Sequence, residues 1–265
     1  MAAPSDRFEL VLLDLDGTIY VGHQVVPGSP AAVAALRSRG QRVGFLTNDP
    51  ARTRAEYAAR LTRIGVPAHA ADVVTPGIAL ARLLAADGLA GARALVLGTD
   101  SFRSEVLAAG LVPEDGAEPG AIDVVVVGGS ADLGYAELTQ ATRALRAGAR
   151  LYGAGRDPIF PTPDGPAPAT GPFLASVEVA GGVRAVVAGK PEPPIFEAAR
   201  ELLGGGRAAM VGDRLDADVA GAQRAGMAGV LVLSGTTTAA EAAASPVRPD
   251  LVCADLAEFA GVPRG

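Results

Sequence analysis

Short, nearly unbroken apolar runs alternate with helix-like segments along almost the whole of this 265-residue chain, and that alternation constrains the fold most. Glu9-Leu-Val-Leu-Leu-Asp14 is apolar at every interior position, as expected of a strand buried on both faces. Ser29-Pro30 supplies an N-cap and a first-turn proline for a helix closed by Gly40. Arg42-Val-Gly-Phe-Leu-Thr47 reads as the next strand, and Thr53 with Glu56 as a capping box for a helix running to Gly65. Strand, helix, strand and helix joined by short links predict parallel crossovers and an α/β sheet with helices on both faces.

The same rhythm returns late in the chain. Ala185–Ala188 reads as a strand, Pro194–Leu203 as a helix, Ala208–Val211 as a strand, Asp216–Arg224 as a helix and Val230–Leu233 as a strand. Between them lies another complete set: a helix from Thr75-Pro76, strands at Ala94–Leu97 and Asp123–Val127, a helix around Tyr135–Ala147 and a strand at Arg150–Tyr152. That middle block has enough apolar material for a layer and core of its own. The Pro- and Gly-rich stretch Pro158–Pro172 reads as a structured, irregular loop.

Composition excludes several function classes. A formal net charge of −6 argues against a nucleic-acid partner, which requires a clustered basic face. No apolar run approaches the ~18–20 residues that a membrane span needs. The first residues lack a basic region followed by an apolar stretch and a cleavage site, so a cytoplasmic location is expected. Cys253, the only cysteine, reads as a small core residue. Of 23 basic residues only Lys190 is a lysine, in a chain that otherwise uses arginine for positive charge. A lysine retained in that background marks a position where a compact ammonium differs from a planar guanidinium, although one lysine must fall somewhere.

Polar residues gather where strands end, which is where open α/β sheets bind ligands. Asp14-Leu-Asp16-Gly17-Thr18 places two carboxylates two positions apart directly after a buried strand. They would repel each other unless a cation neutralised them, and magnesium suits a site of few carboxylates, water and phosphate. Gly17 permits close backbone approach to a ligand. A simple turn or a calcium-loop fragment is the competing reading, but no distal Glu completes such a loop. Thr47-Asn48-Asp49 can donate hydrogen bonds to phosphate oxygens, or form an Asx turn into a helix. Gly189-Lys190-Pro191 would aim an ammonium at the same rim. Gly212-Asp213-Arg214-Leu215-Asp216-Ala217-Asp218 offers three acids, of which Asp213, tight against its strand, is the best metal candidate. Asp216 or Asp218 would serve a helix N-terminus.

Taken together, Asp14-Leu-Asp-Gly-Thr-Ile-Tyr20, Leu46-Thr-Asn48, Gly189-Lys-Pro191 and Gly212-Asp-Arg-Leu-Asp216 resemble the haloacid dehalogenase-like superfamily, in its 4-nitrophenylphosphatase/phosphoglycolate phosphatase branch. The resemblance spans Asp14 to Asp218. It implies a Rossmann-like parallel-sheet core over 1–76 and 184–265, with a smaller α/β cap of the second type inserted over 77–183. The spacing agrees with that placement. Only 33 positions separate Asp14 from Thr47, whereas 143 separate Thr47 from Lys190.

The implied activity is magnesium-dependent hydrolysis of a small phosphomonoester such as phosphoglycolate, glycerol phosphate or a sugar phosphate. Asp14 would be the nucleophile and Asp16 the acid and then the base. Thr47, Asn48 and Lys190 would bind the phosphoryl group, Lys190 also acting in catalysis by offsetting the charge shared by nucleophile and phosphate, and Asp14, the Asp16 carbonyl and Asp213 would bind the Mg2+. A cap would exclude water and polymeric substrates. Arg156, in the loop Gly153–Pro158, is a candidate for a substrate carboxylate or second phosphate, against a solvated ion pair with Asp157. Asp49 departs from the branch's usual Thr-Asn-Asn. His23 and His69 are expected to be bystanders. A phosphotransferase or phosphomutase and a non-catalytic binding protein on the same fold are the alternatives. Relatives with such caps often dimerise, so a homodimer is expected.

Overall fold

The computed structural model describes residues 3–114, 118–130, 133–162 and 165–263. The chain divides into two compact units, one of residues up to Thr47, Arg54–Val74 and from Lys190 onward, the other of Asn48–Thr53 and Thr75–Gly189.

The first unit is built on a six-stranded parallel sheet. Its strands lie side by side in the order Leu251–Cys253, Ala228–Val232, Ala208–Gly212, Leu10–Asp14, Arg42–Leu46 and Val73–Val74. Every residue of Leu10–Asp14 is buried, which explains its unbroken apolar run. Val11, Leu13, Val43, Phe45, Ala209 and Val211 turn to one face and pack with Ala32, Val33 and Leu36 of helix Ser29–Ser38, Tyr57 and Leu61 of helix Arg54–Arg63, and Phe259. The opposite face carries helix Pro193–Leu203, and Gly44 lets it approach: a Cβ there would stand 2.2 Å from Leu203 Cδ1. An antiparallel hairpin, Tyr20–Val21 with Gln24–Val25, follows the Asp14–Thr18 loop.

The second unit has its own five-stranded parallel sheet, ordered Val186–Val187, Arg150–Gly153, Val124–Gly129, Arg93–Gly98 and Val112–Pro113. Leu95, Leu97, Val125, Val127 and Leu151 meet Ala141, Ala144 and Leu145 of helix Tyr135–Arg146 and Leu174 and Val177 of helix Thr170–Gly181 in a separate core. Glu178, on that last helix, is buried yet fully engaged. Arg156 donates from both terminal nitrogens at 3.0 and 2.7 Å, Arg184 at 3.2 Å and the Ala185 amide at 2.8 Å. The Arg156 pairing leads the set that pulls its carboxyl from 4.5 down to about 2. Among the described residues no helix is long and apolar enough to cross a membrane.

The structure departs from the sequence reading at four places. Val186–Val187, read as returning the chain to the first sheet, pairs with Tyr152–Gly153 in the second. Pro158–Pro172 holds an antiparallel ribbon, Ile159–Thr162 with Gly165–Pro168, because a two-stranded ribbon has outer edges where proline needs no partner. Ser29 is not a cap. Gly28 occupies that position in a left-handed conformation (φ 79°), and the Ser29 hydroxyl donates to the Thr18 carbonyl at 3.0 Å. The helix expected over Asp216–Arg224 begins instead with a π turn, Leu215–Val219.

Glu178→Gln should lower stability by about 1.5–3 kcal/mol at neutral pH, the range for hydrogen bonds to a charged group. Because the native carboxyl is depressed, its contribution is present above pH 4.5 and lost as pH falls toward about 2. Urea unfolding curves of both proteins should therefore converge toward the acid end.

Candidate active site

Strand Leu10–Asp14 is the switch point of the first sheet. The chain leaves it toward Arg42–Leu46 and Val73–Val74 on one side, and later returns to build Ala208–Gly212, Ala228–Val232 and Leu251–Cys253 on the other. Parallel strands all present their carboxyl ends at the same edge, so this is where the topology opens a crevice. Register sets the heights. Asp14 pairs with Leu46, so Thr47 lies one step beyond it, and Leu13 pairs with Val211, so Asp213 comes one step beyond Asp14.

At that edge Asp14, Asp213 and Asp218 converge, with one carboxylate oxygen from each lying within 4.8 Å of the others. All three are buried, Asp218 completely. Lys190, 3% exposed, donates to Asp14 Oδ1 at 2.5 Å and to Asp218 Oδ1 at 2.7 Å. Asp218 Oδ2 accepts from the Arg214 amide at 3.0 Å. Gly17 has φ +82°, and a Cβ there would lie 2.4 Å from Asp213 Cγ, so only glycine fits beside that carboxyl.

Three acids facing one ammonium in a buried space leave an excess of negative charge. Burial, opposed by Lys190 and reinforced by Asp218 and Asp213, pushes the Asp14 carboxyl from 3.8 up to about 8. Burial and then Asp218 raise Asp213 as well. Burial alone would lower Lys190, but Asp14 and Asp218 outweigh it and hold the ammonium above its ordinary range. Buried carboxylates held apart from their preferred ionisation, with hard oxygens a few ångströms apart, form a donor set that fits a divalent cation such as magnesium.

The remaining expected residues fall as follows. Asp16 is exposed and outside the carboxylate trio, with its backbone bridged to Tyr20. Thr47 is buried and its amide donates to the Val74 carbonyl at 3.2 Å. Asn48 belongs to the second unit, where its Nδ2 donates to Asp157 Oδ2 at 2.7 Å. Asp49 is exposed and accepts from the Ala51 amide, an Asx turn. Arg156 is forked onto Glu178, 22 positions away. Lys190 does not end a strand of the first sheet: it lies in the turn where the chain re-enters the first unit. His23 and His69 are exposed and belong to no cluster among the described residues. Cys253 is buried, and burial first, then Glu258 and Asp255, push its thiol up to about 11.

Asp218 and Asp157 were not picked out from sequence. Asp218 had a signal: it is an acid set among Ala217, Val219, Ala220, Gly221 and Ala222. Asp216, its rival, is 72% exposed and paired with Arg214. Both acids lie in the π turn Leu215–Val219, which departs from the regular helix expected over Asp216–Arg224 and in which Asp218 is buried.

Two family models match the chain, haloacid dehalogenase-like hydrolases over residues 11–112 and a second HAD-like hydrolase model over residues 187–259. The D-glycerol 3-phosphate phosphatase of Mycobacterium tuberculosis is 40% identical over 250 residues, covering 94% of this chain and 69% of that protein. The crystal structure of the glycerol phosphate phosphatase from the same organism in complex with magnesium superposes with a TM-score of 0.89 at 37% identity, covering 98% of this chain and 78% of the other. A 4-nitrophenylphosphatase from Thermotoga maritima also gives 0.89, at 32% identity, with 98% of this chain and 99% of the other covered.

In EDTA the melting temperature should fall as pH rises from about 4 to about 8. A carboxyl whose native value is raised binds more protons folded than unfolded over that window, and deprotonating it costs stability. Magnesium should restore more stability at pH 8 than at pH 5, where the proton competes for Asp14. Thermal melts across pH with and without Mg2+ measure both.

Proposed function

The chain belongs to the haloacid dehalogenase-like hydrolases, and on that premise we propose that it is a magnesium-dependent phosphatase that hydrolyses small phosphomonoesters through a phosphorylated Asp14. The observation that carries the reading is the buried Asp14–Lys190–Asp218 chain beside Asp213 at the switch point.

Asp14 attacks phosphorus with Oδ2 while Lys190 stays on Oδ1, offsetting the charge that carboxylate and phosphoryl group bring together. The P–O bond to the substrate breaks as the acyl phosphate forms, and Asp16 gives the departing alkoxide its proton. Asp16 then takes a proton from water, which attacks phosphorus and releases inorganic phosphate and free Asp14. Its exposure suits a group that exchanges protons with substrate and water. The Thr47 hydroxyl and the Asn48 amide hold phosphoryl oxygens. Asp14, the Asp16 carbonyl and Asp213 hold magnesium, which when bound neutralises charge on the transferring phosphoryl group. Asp218 remains the counter-ion of Lys190, since Lys190 and the Arg214 amide occupy its two oxygens.

The second unit acts as the cap in this reading, its own core and its insertion between Val74 and Lys190 supporting that role. Asp157 holds the Asn48 amide, and Glu178 holds the loop through Arg156, which orients Arg156 as a scaffold rather than as a substrate clamp. Glycerol phosphate is the first substrate to test, because relatives carry that name; phosphoglycolate and sugar phosphates complete the panel. A cytoplasmic location and a homodimer belong to the same proposal.

Phosphate release from 4-nitrophenyl phosphate should require Mg2+. Asp14→Asn should reduce kcat by ~10⁴-fold or more, as loss of a covalent nucleophile does, and Lys190→Met by ~10²–10³-fold, as loss of one charge-stabilising donor does. Robust turnover by Asp14→Asn would remove the nucleophile assignment. Absence of turnover on every phosphomonoester of the panel would leave a binding protein instead.

A further inference from the structure

Resting on that reading of the site, we infer that the turn Ser234-Gly235-Thr236 is the positioning element that fixes Asp213 and thereby sets magnesium affinity. The turn follows strand Ala228–Val232, the neighbour of strand Ala208–Gly212, which Asp213 directly follows. Three contacts converge from it and from the nucleophile loop. The Thr236 amide donates to Asp213 Oδ2 at 2.6 Å. A Cβ on Gly235 would stand 2.2 Å from that same oxygen and 2.6 Å from Cγ. A Cβ on Gly17 would stand 2.4 Å from Cγ and from Oδ2, but 3.0 Å from Oδ1. The carboxyl is thus clasped between two glycines from different loops, with its Oδ2 edge inside the clasp.

The two loops are tied to each other. Ser234 Oγ donates to the Gly17 carbonyl at 2.7 Å, linking the turn to the backbone that carries Asp14 and Asp16. Gly235, unlike Gly17, does not have a left-handed φ. No backbone conformation therefore demands glycine at 235; the Asp213 carboxyl alone excludes a side chain.

This arrangement distinguishes the two oxygens of Asp213. Oδ2 is claimed by a neutral amide and covered by both glycines, which assigns Oδ1 to the cation. A neutral donor suits this task, because it orients the carboxylate without cancelling the charge a cation needs, whereas a second ammonium would cancel it. Lys190 donates to Asp14 and Asp218.

Calorimetric titration of Mg2+ into the metal-free 265-residue chain without substrate tests the inference. Gly235→Ala should weaken Mg2+ binding by ~10–100-fold, the usual effect of disturbing an outer partner of a metal ligand. Ser234→Ala should weaken it by a smaller factor, and Ser234→Thr, which keeps a hydroxyl, should restore it. Wild-type affinity in a Gly235→Ala protein that melts cooperatively in EDTA would overturn the inference. If that variant fails to fold, wild-type affinity in Ser234→Ala would overturn it instead. Wild-type affinity in Asp213→Asn would overturn both this inference and the metal assignment beneath it, so the two failures are distinguishable.

Discussion

A charge deficit buried at one strand end organises this protein. Asp14, Asp213 and Asp218 bring three negative charges into a space where Lys190 supplies one positive charge. Isolated burial of carboxylates is costly, and the cost falls only if a cation or a proton joins them. Without a metal the proton wins at Asp14, whose carboxyl is pushed up to about 8. A divalent cation bound there would cancel the formal deficit of two and leave Asp14 as an anion. The phosphate of a substrate then arrives at a centre that is neutral rather than repulsive.

The sheet exists in a form that makes this convergence cheap in chain terms. Asp14 and Asp213 are 199 positions apart in sequence, yet adjacent parallel strands set them one step apart in height. Parallel pairing delivers every carboxyl end to one edge, so no long loop has to carry a charged side chain across the molecule. What the strands cannot supply is clearance. Gly17 and Gly235 provide it by omitting side chains on both sides of Asp213. Removing Cβ atoms brings backbone amides within reach of the carboxylate, and backbone donors are less mobile than any side chain that could replace them.

Sequence carried the α/β class because strand and helix periodicities are local properties, and it carried Asp14 because an acid directly after a fully apolar strand is conspicuous. Sheet membership is less local. Val186–Val187 is two residues long and would suit either sheet; its partner is decided by the chain that precedes it. Asp218 was hidden for a different reason. Helical phase predicts which side chains face inward only while the helix stays regular, and the π turn at Leu215–Val219 breaks that phase. The Thr236 amide left no trace, since every residue except proline has one. Ser-Gly-Thr after an apolar strand was a faint signal, a polar strand end at the same edge as the others.

The single lysine follows from the same geometry. Arginine serves this chain at its surface, where Arg37, Arg39, Arg42 and Arg60 reach backbone carbonyls with a long planar fork. The cluster asks for something else. Lys190 must reach Asp14 Oδ1 at a strand end and Asp218 Oδ1 in the π turn, while only 3% exposed to water. A guanidinium binds one carboxylate best, side by side in a plane, as Arg156 does on Glu178. An ammonium has three donors that rotate about one axis and occupies less volume, so it can bridge two acids at once. Replacement by arginine would keep the charge and lose the fit, which is why charge balance alone does not explain the residue.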